Sequence, residues 1–229
     1  MSNTAGTAQR LTAEALGSGL LLAAVVGSGI MGERLADGNV GIALLANTAA
    51  TGAMLFVLIT IFGPISGAHF NPAVSAVSAL QRNITWSLCV AYIAAQLAGA
   101  LAGVAAAHAM FELPIAQVSL KQRSGAAQLF SEFVATFGLI NTIILTARYA
   151  PARVAAAVAS YIMAAYWFTA STSFANPAVT VARSVSDTFA GIRPNDAPAF
   201  ILAQLGGAAA AVFISSWLTR AWPDSERQP

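Results

Sequence analysis

The stretch SGAHFNPAVSAVSAL, residues 66–80, contains the tetrapeptide Asn-Pro-Ala-Val, and the same tetrapeptide returns in STSFANPAVTVARS, residues 171–184. Asparagine is a favoured N-cap residue and proline is favoured at the first helical position, so each copy predicts the start of a helix. Small and apolar residues follow each copy. The two stretches therefore predict two short helices that begin in the same way, far apart in the chain.

The composition indicates a chain surrounded by lipid. Of its 229 residues, 57% are hydrophobic and only 9% are charged, whereas soluble domains carry about a quarter of their residues as charged ones. About 20 apolar residues of helix cross the bilayer core. The sequence contains six such stretches, which predict an all-α membrane protein with spans at residues 11–31, 40–62, 85–108, 128–147, 153–172 and 198–218.

Several other function classes find no support in the residues. The net charge is +2 and the basic residues are scattered, so we expect no nucleic-acid partner. His, Cys and carboxylate residues have no metal-ligand spacing, and the sequence has neither a nucleophile elbow nor a phosphate-binding loop. We therefore expect no enzyme activity, no metal and no cofactor. The first nine residues lack a basic start, so the first apolar run is expected to be a retained span.

The chain also repeats itself internally. AYIAAQLAGA at residues 91–100 matches AFILAQLGGA at 199–208, and TAEALGSGLL at 12–21 corresponds to FSEFVATFGL at 130–139. Each half thus runs in the order glutamate helix, second helix, Asn-Pro-Ala-Val segment, glutamine helix. Because three spans per half is an odd number, the second half must enter the bilayer upside down.

This inverted repeat predicts a single transmembrane channel domain over residues 1–229, with repeats at about 11–108 and 128–220. A ten-residue helix rises about 15 Å, half of the hydrocarbon thickness, so the two short helices should meet near the midplane at Asn71 and Asn176. Irregular backbone before them is tolerated at that depth only where it lines a cavity. The cavity is interpreted as a pore for small neutral solutes, since two partly positive helix N-termini repel cations there.

Two Asn-Pro-Ala copies at symmetric places of an inverted six-span repeat resemble the aquaporin, or major intrinsic protein, family over residues 14–204. The resemblance implies an aquaporin-like bundle of six transmembrane helices plus two re-entrant half-helices, a homotetramer with one pore per protomer, a location in the cell membrane and cytoplasmic termini. It also implies partners limited to lipid, water and small neutral solutes. The pore motif residues that it implies are Asn71, Pro72, Ala73, Asn176, Pro177 and Ala178.

The sequence departs from the family at the outer constriction, the selectivity filter. Family members normally have Arg three residues after the second Asn, whereas this chain has Val179. Counting from the shared motifs places the other filter positions at Thr51, Ala164 and Ser173. Small side chains should widen the filter, and the loss of Arg removes a charge and five donors. The Val-for-Arg exchange resembles bacterial relatives associated with arsenic resistance, which favours metalloid hydroxides such as arsenite, or glycerol, alongside water.

Further residues are assigned to the pore or to its support. The pore-lining candidates are Gly67, Ala68, His69, Ser171, Thr172 and Arg183, and the structural candidates are Glu14, Glu132, Gln96 and Gln204. Arg183 lies one helical turn beyond Val179, so it either carries positive charge into the vestibule or bonds loop carbonyls at the interface. By symmetry and family precedent, the two glutamates are expected to hold the re-entrant loops. His108, near a helix end, is expected at the surface.

Three other functions remain open from the sequence. A water-selective aquaporin would share the fold but not the wide filter. A proton-coupled secondary transporter would use Glu14 and Glu132, because carboxylates inside a membrane are candidates for proton relays. A structural or adhesion protein of the same fold would carry no flux. The paired half-helices favour the passive channel.

Overall fold

The computed structural model describes residues 5–220, and within this range every regular element is helical. The ends, residues 1–4 and 221–229, lie outside the described residues, so the predicted domain limits of 1 and 229 do as well. The all-α class predicted from composition is confirmed. The α-helices are α1 (Thr7–Leu35), α2 (Val40–Ser66), α3 (Pro72–Leu80), α4 (Trp86–Met110), α5 (Ala126–Tyr149), α6 (Val154–Phe168), α7 (Pro177–Arg183) and α8 (Ala197–Arg220).

Five helices, α1, α2, α4, α5 and α8 with the 3₁₀ turn before it, are long and apolar enough to cross a membrane. The predicted span at residues 153–172 is shorter, because α6 has only 15 residues and follows a 3₁₀ turn at Pro151–Arg153. The chain leaves the helix at Thr169, whose backbone is extended and whose hydroxyl donates to the Ala165 carbonyl at 2.7 Å. Helix α6 ends early because the second re-entrant segment begins there.

The outer surface of the bundle is apolar. Large side chains such as Phe213 and Leu202 are 73% and 71% exposed. Exposing so much apolar surface is unfavourable in water but favourable against lipid tails. The interior, by contrast, holds buried polar groups that are connected by hydrogen bonds.

The long helices pack in two equivalent pairs, α1 against α4 and α5 against α8. At Gly103 in α4 an added Cβ would lie 2.0 Å from the carbonyl oxygen of Gly19, and at Gly207 in α8 it would lie 2.3 Å from that of Phe133. Only glycine permits such close approach of two helix backbones. The glycine- and alanine-rich runs of the sequence are therefore helix-packing faces.

The two short helices begin at the Asn-Pro-Ala-Val copies. The Asn71 side chain accepts a hydrogen bond from the Ala73 amide, and the Asn176 side chain accepts one from the Ala178 amide, both at 2.9 Å. Helix α3 has nine residues and α7 has seven, so α7 in particular is shorter than the ten-residue helix expected from the sequence. Both pack against α4 and α8, which fixes them inside the bundle.

Candidate solute pathway through the bundle

A cavity of about 620 Å³ runs through the bundle and passes both asparagines. Toward the end of the pore where α2 finishes it reaches Gln81 and Thr219, and toward the opposite end it reaches Arg183. Both half-helices contribute to its wall together with α1, α2, α5, α6 and α8. Polar and aromatic residues of its lining around the two asparagines include Thr51, His69, Phe70, Asn71, Tyr166, Ser173, Phe174 and Asn176.

At its waist the two half-helices are joined reciprocally. The Asn71 Nδ2 donates to the carbonyl of Ala175, and the Asn176 Nδ2 donates to the carbonyl of Phe70, both at 2.8 Å. A primary amide has two N–H donors, so each asparagine keeps one donor beyond this bond. The two side chains can therefore present hydrogen-bond donors to a solute while their oxygens cap the helices.

The backbone before each asparagine has an unusual conformation. Ala68 and Phe70 have φ values of 50° and 49°, and Ser173 and Ala175 have values of 49° and 48°. Left-handed backbone costs about 1–2 kcal/mol for residues other than glycine, so the surrounding structure must hold these segments in place. The predicted irregular backbone is present at both re-entrant segments, and its residues Gly67, Ala68, Ser173 and Ala175 line the cavity.

Glu14 holds the first re-entrant segment. Its Oε1 accepts from the Ser66 hydroxyl at 2.6 Å and from the His69 amide at 2.9 Å, while its Oε2 accepts from the Phe70 amide and from the Gln96 Nε2, both at 2.7 Å. The side chain is fully buried and does not line the cavity. All four partners are donors, so the carboxylate acts as an acceptor that orients the backbone.

Glu132 makes the equivalent bonds to two backbone amides and a glutamine in the second half. It accepts from the amides of Phe174 and Ala175 at 2.9 Å and from the Gln204 Nε2 at 2.6 Å. Gln204 also donates to the Thr180 hydroxyl in α7, as Gln96 donates to the Ser75 hydroxyl in α3, both at 2.9 Å. These bonds supply the constraint that the strained segments require.

Three of the four predicted filter residues, Thr51, Ser173 and Val179, line the cavity. Ala164 does not: it is exposed on the outside of α6, so its predicted place in the filter is wrong. Two residues further, a turn of about 200° around the helix, Tyr166 is buried against the cavity and its hydroxyl donates to the Thr51 Oγ1 at 3.4 Å. The residues that line the cavity at or beside the predicted filter positions are therefore Thr51, Tyr166, Ser173 and Val179.

Tyr166 in place of Ala164 changes the width expected for the filter. Tyr166 restores one bulky side chain to a filter that the sequence predicted to contain small ones only, and it adds a hydroxyl. Val179 and Thr51 are the smaller side chains that line the cavity with it. The sequence signal for this position is a tyrosine, an amphipathic residue, within an otherwise apolar helix. In the part of the chain described, Tyr166 is the only residue of α6 whose side-chain polar group bonds a side chain of α2.

The other candidates divide into two groups. Gly67, Ala68, His69 and Arg183 line the cavity, whereas Ser171 and Thr172 do not. Pro72, Ala73, Pro177 and Ala178 are buried behind the asparagines and shape the helix starts. His69 bonds the Ser75 hydroxyl through Nδ1 at 3.0 Å and packs its edge against Tyr92.

The loops at the Arg183 end of the pore contain contacts that the sequence did not reveal. The Arg183 Nε donates to the Ala190 carbonyl, in agreement with the interpretation that this side chain bonds loop carbonyls. Arg123, from the loop between α4 and α5, donates through Nη1 to the Ser171 carbonyl at 3.1 Å. His108 is fully buried, not at the surface, because it bonds Ile115 and Ser186 and so ties two loops together.

Within residues 5–220 no group of three or more His, Cys, Asp or Glu residues has the arrangement of a metal site. The polar groups of the cavity are instead amides, hydroxyls, carbonyls, the His69 imidazole and the guanidinium groups of Arg148 and Arg183. Such groups can bind a passing molecule by hydrogen bonding.

A continuous cavity with two capped half-helices at its waist is the architecture of a membrane channel. A family profile described as major intrinsic protein matches residues 1–153, and the chain belongs to that family. It is accordingly a multi-pass membrane protein that forms a channel for water and small solutes, and it is not an enzyme.

Individual relatives agree with this assignment. The chain is 58% identical over 210 residues to the aquaglyceroporin AqpS of Rhizobium meliloti, covering 92% of this chain and 90% of the relative. It is 32% identical over 131 residues to the probable aquaporin PIP2-8 of Oryza sativa subsp. japonica, covering 54% and 47%. The X-ray structure of the aquaglyceroporin from Plasmodium falciparum superimposes with a TM-score of 0.72 at 17% identity, covering 94% and 97%, which shows a shared fold.

Proposed function

We propose that the protein is a passive channel for small neutral solutes. Its main cargo is either a metalloid hydroxide such as arsenite, or glycerol, and water passes as well. The observation that carries the proposal is Val179 in the cavity wall, at a place where family members normally have Arg. A small apolar side chain there leaves room for solutes larger than water. The relative that is 58% identical over 92% of this chain is itself named an aquaglyceroporin.

The lining suits molecules with several hydroxyl groups. Asn71 and Asn176 supply donors at the waist, while the re-entrant backbone supplies carbonyl acceptors on either side. The faces of Leu21, Leu55 and Val158 are apolar. A polyol or a metalloid trihydroxide can keep hydrogen bonds along such a path, so its transfer from water costs less than in lipid.

The filter roles of Thr51, Tyr166, Ser173 and Val179 are part of this proposal. So is the division of the domain into two inverted repeats, which the matching networks around Glu14 and Glu132 support. A homotetramer, a cell-membrane location and cytoplasmic termini come from the family resemblance. The exposed apolar exterior is compatible with both lipid and neighbouring protomers.

A water-selective aquaporin is the second candidate, and one observation favours it. Tyr166 returns a large side chain to the filter and bonds Thr51 across the cavity. The proton-coupled transporter receives no such support, because each glutamate is fully buried, faces only donors and lies outside the cavity wall.

The deciding experiment is stopped-flow light scattering on proteoliposomes, with water, glycerol and neutral arsenite compared side by side against empty liposomes. Entry of glycerol or arsenite well above the empty-liposome rate would support the proposal. Fast water flux with no solute entry would replace it by the water-selective channel. Uptake that depends on a pH gradient would instead point to the coupled transporter.

A further inference from the structure

The two half-helices differ in charge at one equivalent position. Seven residues after Asn71 comes Ser78, and seven residues after Asn176 comes Arg183. Both line the cavity, one turn beyond the valines Val74 and Val179. At these equivalent positions the repeat thus places a neutral side chain on α3 and a guanidinium on α7. The other arginine of the lining, Arg148, comes from the end of α5 and is exposed, whereas Arg183 is buried.

Arg183 is held inside the protein. It is 2% exposed, and its Cζ lies 3.4 Å from the centroid of the Phe174 ring while its Nε donates to the Ala190 carbonyl. Its Nη1 is buried and has no hydrogen-bond partner among the described residues. A buried charged donor without a partner is costly, so a stability role alone does not account for this side chain.

Arg123 supports the same site from the neighbouring loop. Its Nε donates to the Gly191 carbonyl at 2.8 Å, its Nη1 donates to the Ser171 carbonyl at 3.1 Å, and its Cζ lies 5.0 Å from the Phe174 ring centroid. Burial lowers the pKa of Arg123 to about 10, which leaves it protonated at neutral pH.

Neither guanidinium is neutralised by a carboxylate in direct contact. The one ion pair of the described residues joins Arg193 to Asp196 at 2.9 Å. Asp196 also accepts from the backbone amide of Arg123 rather than from its side chain. Two positive charges therefore lie beside the same aromatic ring at this end of the cavity, and charges in a poorly hydrated environment act over longer distances than in water.

We propose that Arg183, positioned with Arg123, is the cation-excluding charge of this pore, moved one helical turn outward from the filter position that Val179 occupies. A cation approaching the filter meets the Arg183 guanidinium, which no carboxylate contacts directly, before it reaches the half-helix N-termini. A neutral solute meets no such barrier and finds more room at Val179 than an arginine would leave. The inference rests on the proposed function only in taking the cavity as the solute path.

The test compares Arg183→Gln with Arg34→Gln. Arg34 is a matched control because its Nη2 donates to a loop carbonyl, that of Phe111, at 3.1 Å and its Cζ lies 5.2 Å from that residue's ring, yet it is exposed and does not line the cavity. Proteoliposomes are assayed for proton leak with an internal pH dye under a clamped potential, for guanidinium entry, and for water flux. The quantity compared is the ratio of cation to water permeability.

We expect Arg183→Gln to raise that ratio about tenfold or more, the effect of removing one nearby charge in a medium of intermediate dielectric. Arg183→Lys should stay within a few-fold of the original chain, and Arg34→Gln should match it. An unchanged ratio in Arg183→Gln would overturn the proposal, as would an original chain that already leaks cations as fast as the variant.

If Arg183→Gln does not fold, the test uses Arg123→Gln instead. This variant should raise the ratio of cation to water permeability by a smaller factor, and an unchanged ratio would again overturn the proposal. Failure of the solute-channel proposal has a different signature. It appears as absent glycerol and arsenite entry in the original chain, whatever its cation leak.

Discussion

Asn71 and Asn176 each donate a hydrogen bond to the loop that precedes the other, at equal distances of 2.8 Å. Each residue thereby caps its own helix and fastens the opposite re-entrant segment. The waist of the pore is consequently one unit built from both halves of the chain. Replacing either asparagine should therefore also disturb the re-entrant segment of the other half.

Replacing Asn176 by Ala should therefore lower both stability and flux. Loss of an N-cap costs about 1 kcal/mol, and the Phe70 carbonyl loses its donor as well. The control is Asn39→Ala, which removes the cap of α2 at the Ile42 amide, and neither Asn39 nor Ile42 lines the cavity. Thermal unfolding should fall in both variants, whereas stopped-flow water flux should fall only in Asn176→Ala; equal flux in the two would contradict the waist assignment.

Replacing Val179 by Arg should reduce glycerol and arsenite entry far more than water entry, on the order of tenfold in their ratio, because a long side chain would fill the cavity beside Ser173. Val179→Leu adds bulk without charge and separates size from electrostatics. Equal losses of water and solute flux, or no change, would show that Val179 does not lie at the narrowest point.

Tyr166→Ala should increase entry of the larger solute several-fold, because Tyr166 is the bulky member of the corrected filter set. Tyr166→Phe keeps the ring and removes only the hydroxyl that reaches Thr51. The matched control is Ala164→Ser on the exposed side of the same helix, which should leave all permeabilities unchanged. A strong effect of Ala164→Ser with none of Tyr166→Ala would restore the original register.

Glu132→Gln should destabilise the fold by about 1–3 kcal/mol, since a carboxamide places donors opposite the amides of Phe174 and Ala175. The exposed Glu33→Gln serves as control. Thermal unfolding and the yield of folded protein report the effect. A stable Glu132→Gln protein with normal water flux that has lost pH-driven uptake would instead support a proton relay.

Lys121, the only lysine of the sequence, should titrate near pH 8. Partial burial lowers its pKa to about 8, and Arg123 and Arg183 add repulsion. Because the unfolded chain binds the extra proton between pH 8 and 10.5, stability should rise slightly with pH across that window. Acylation rates of this amine against pH, resolved from the N-terminus by peptide mapping, measure the pKa. A midpoint near 10.5 would contradict the expectation.

Much of the architecture follows from local chemistry and from repetition. Asn-Pro predicts the half-helix starts because capping is decided within a few residues. The repeated glutamate and glutamine segments predict that Glu14 and Glu132 serve equivalent roles, and their hydrogen bonds are indeed equivalent. The role of a single buried glutamate would be ambiguous from sequence, but two glutamates at equivalent places of a repeat are expected to share one role.

The predictions that were wrong concern positions with no repeated motif nearby, namely Ala164 in the filter and His108 at the surface. Ala164 and Tyr166 differ by two residues, which exchanges the inner for the outer face of α6, and no repeated motif lies near enough to fix that rotation. Arg123 and His108 acquire their partners from loops distant in sequence. Contacts of this kind depend on the assembled bundle and leave no periodic pattern in the chain.

The reciprocal bonds at the waist also set an order of events during synthesis. Asn71 caps its helix as soon as that segment exists, but its second partner, the carbonyl of Ala175, lies 104 residues later. Until the ribosome has delivered the second half, the first half contains a strained loop held from one side only. Completion of the waist is therefore a late step of biogenesis, and a truncated chain ending before residue 175 would expose a half-built channel to quality control.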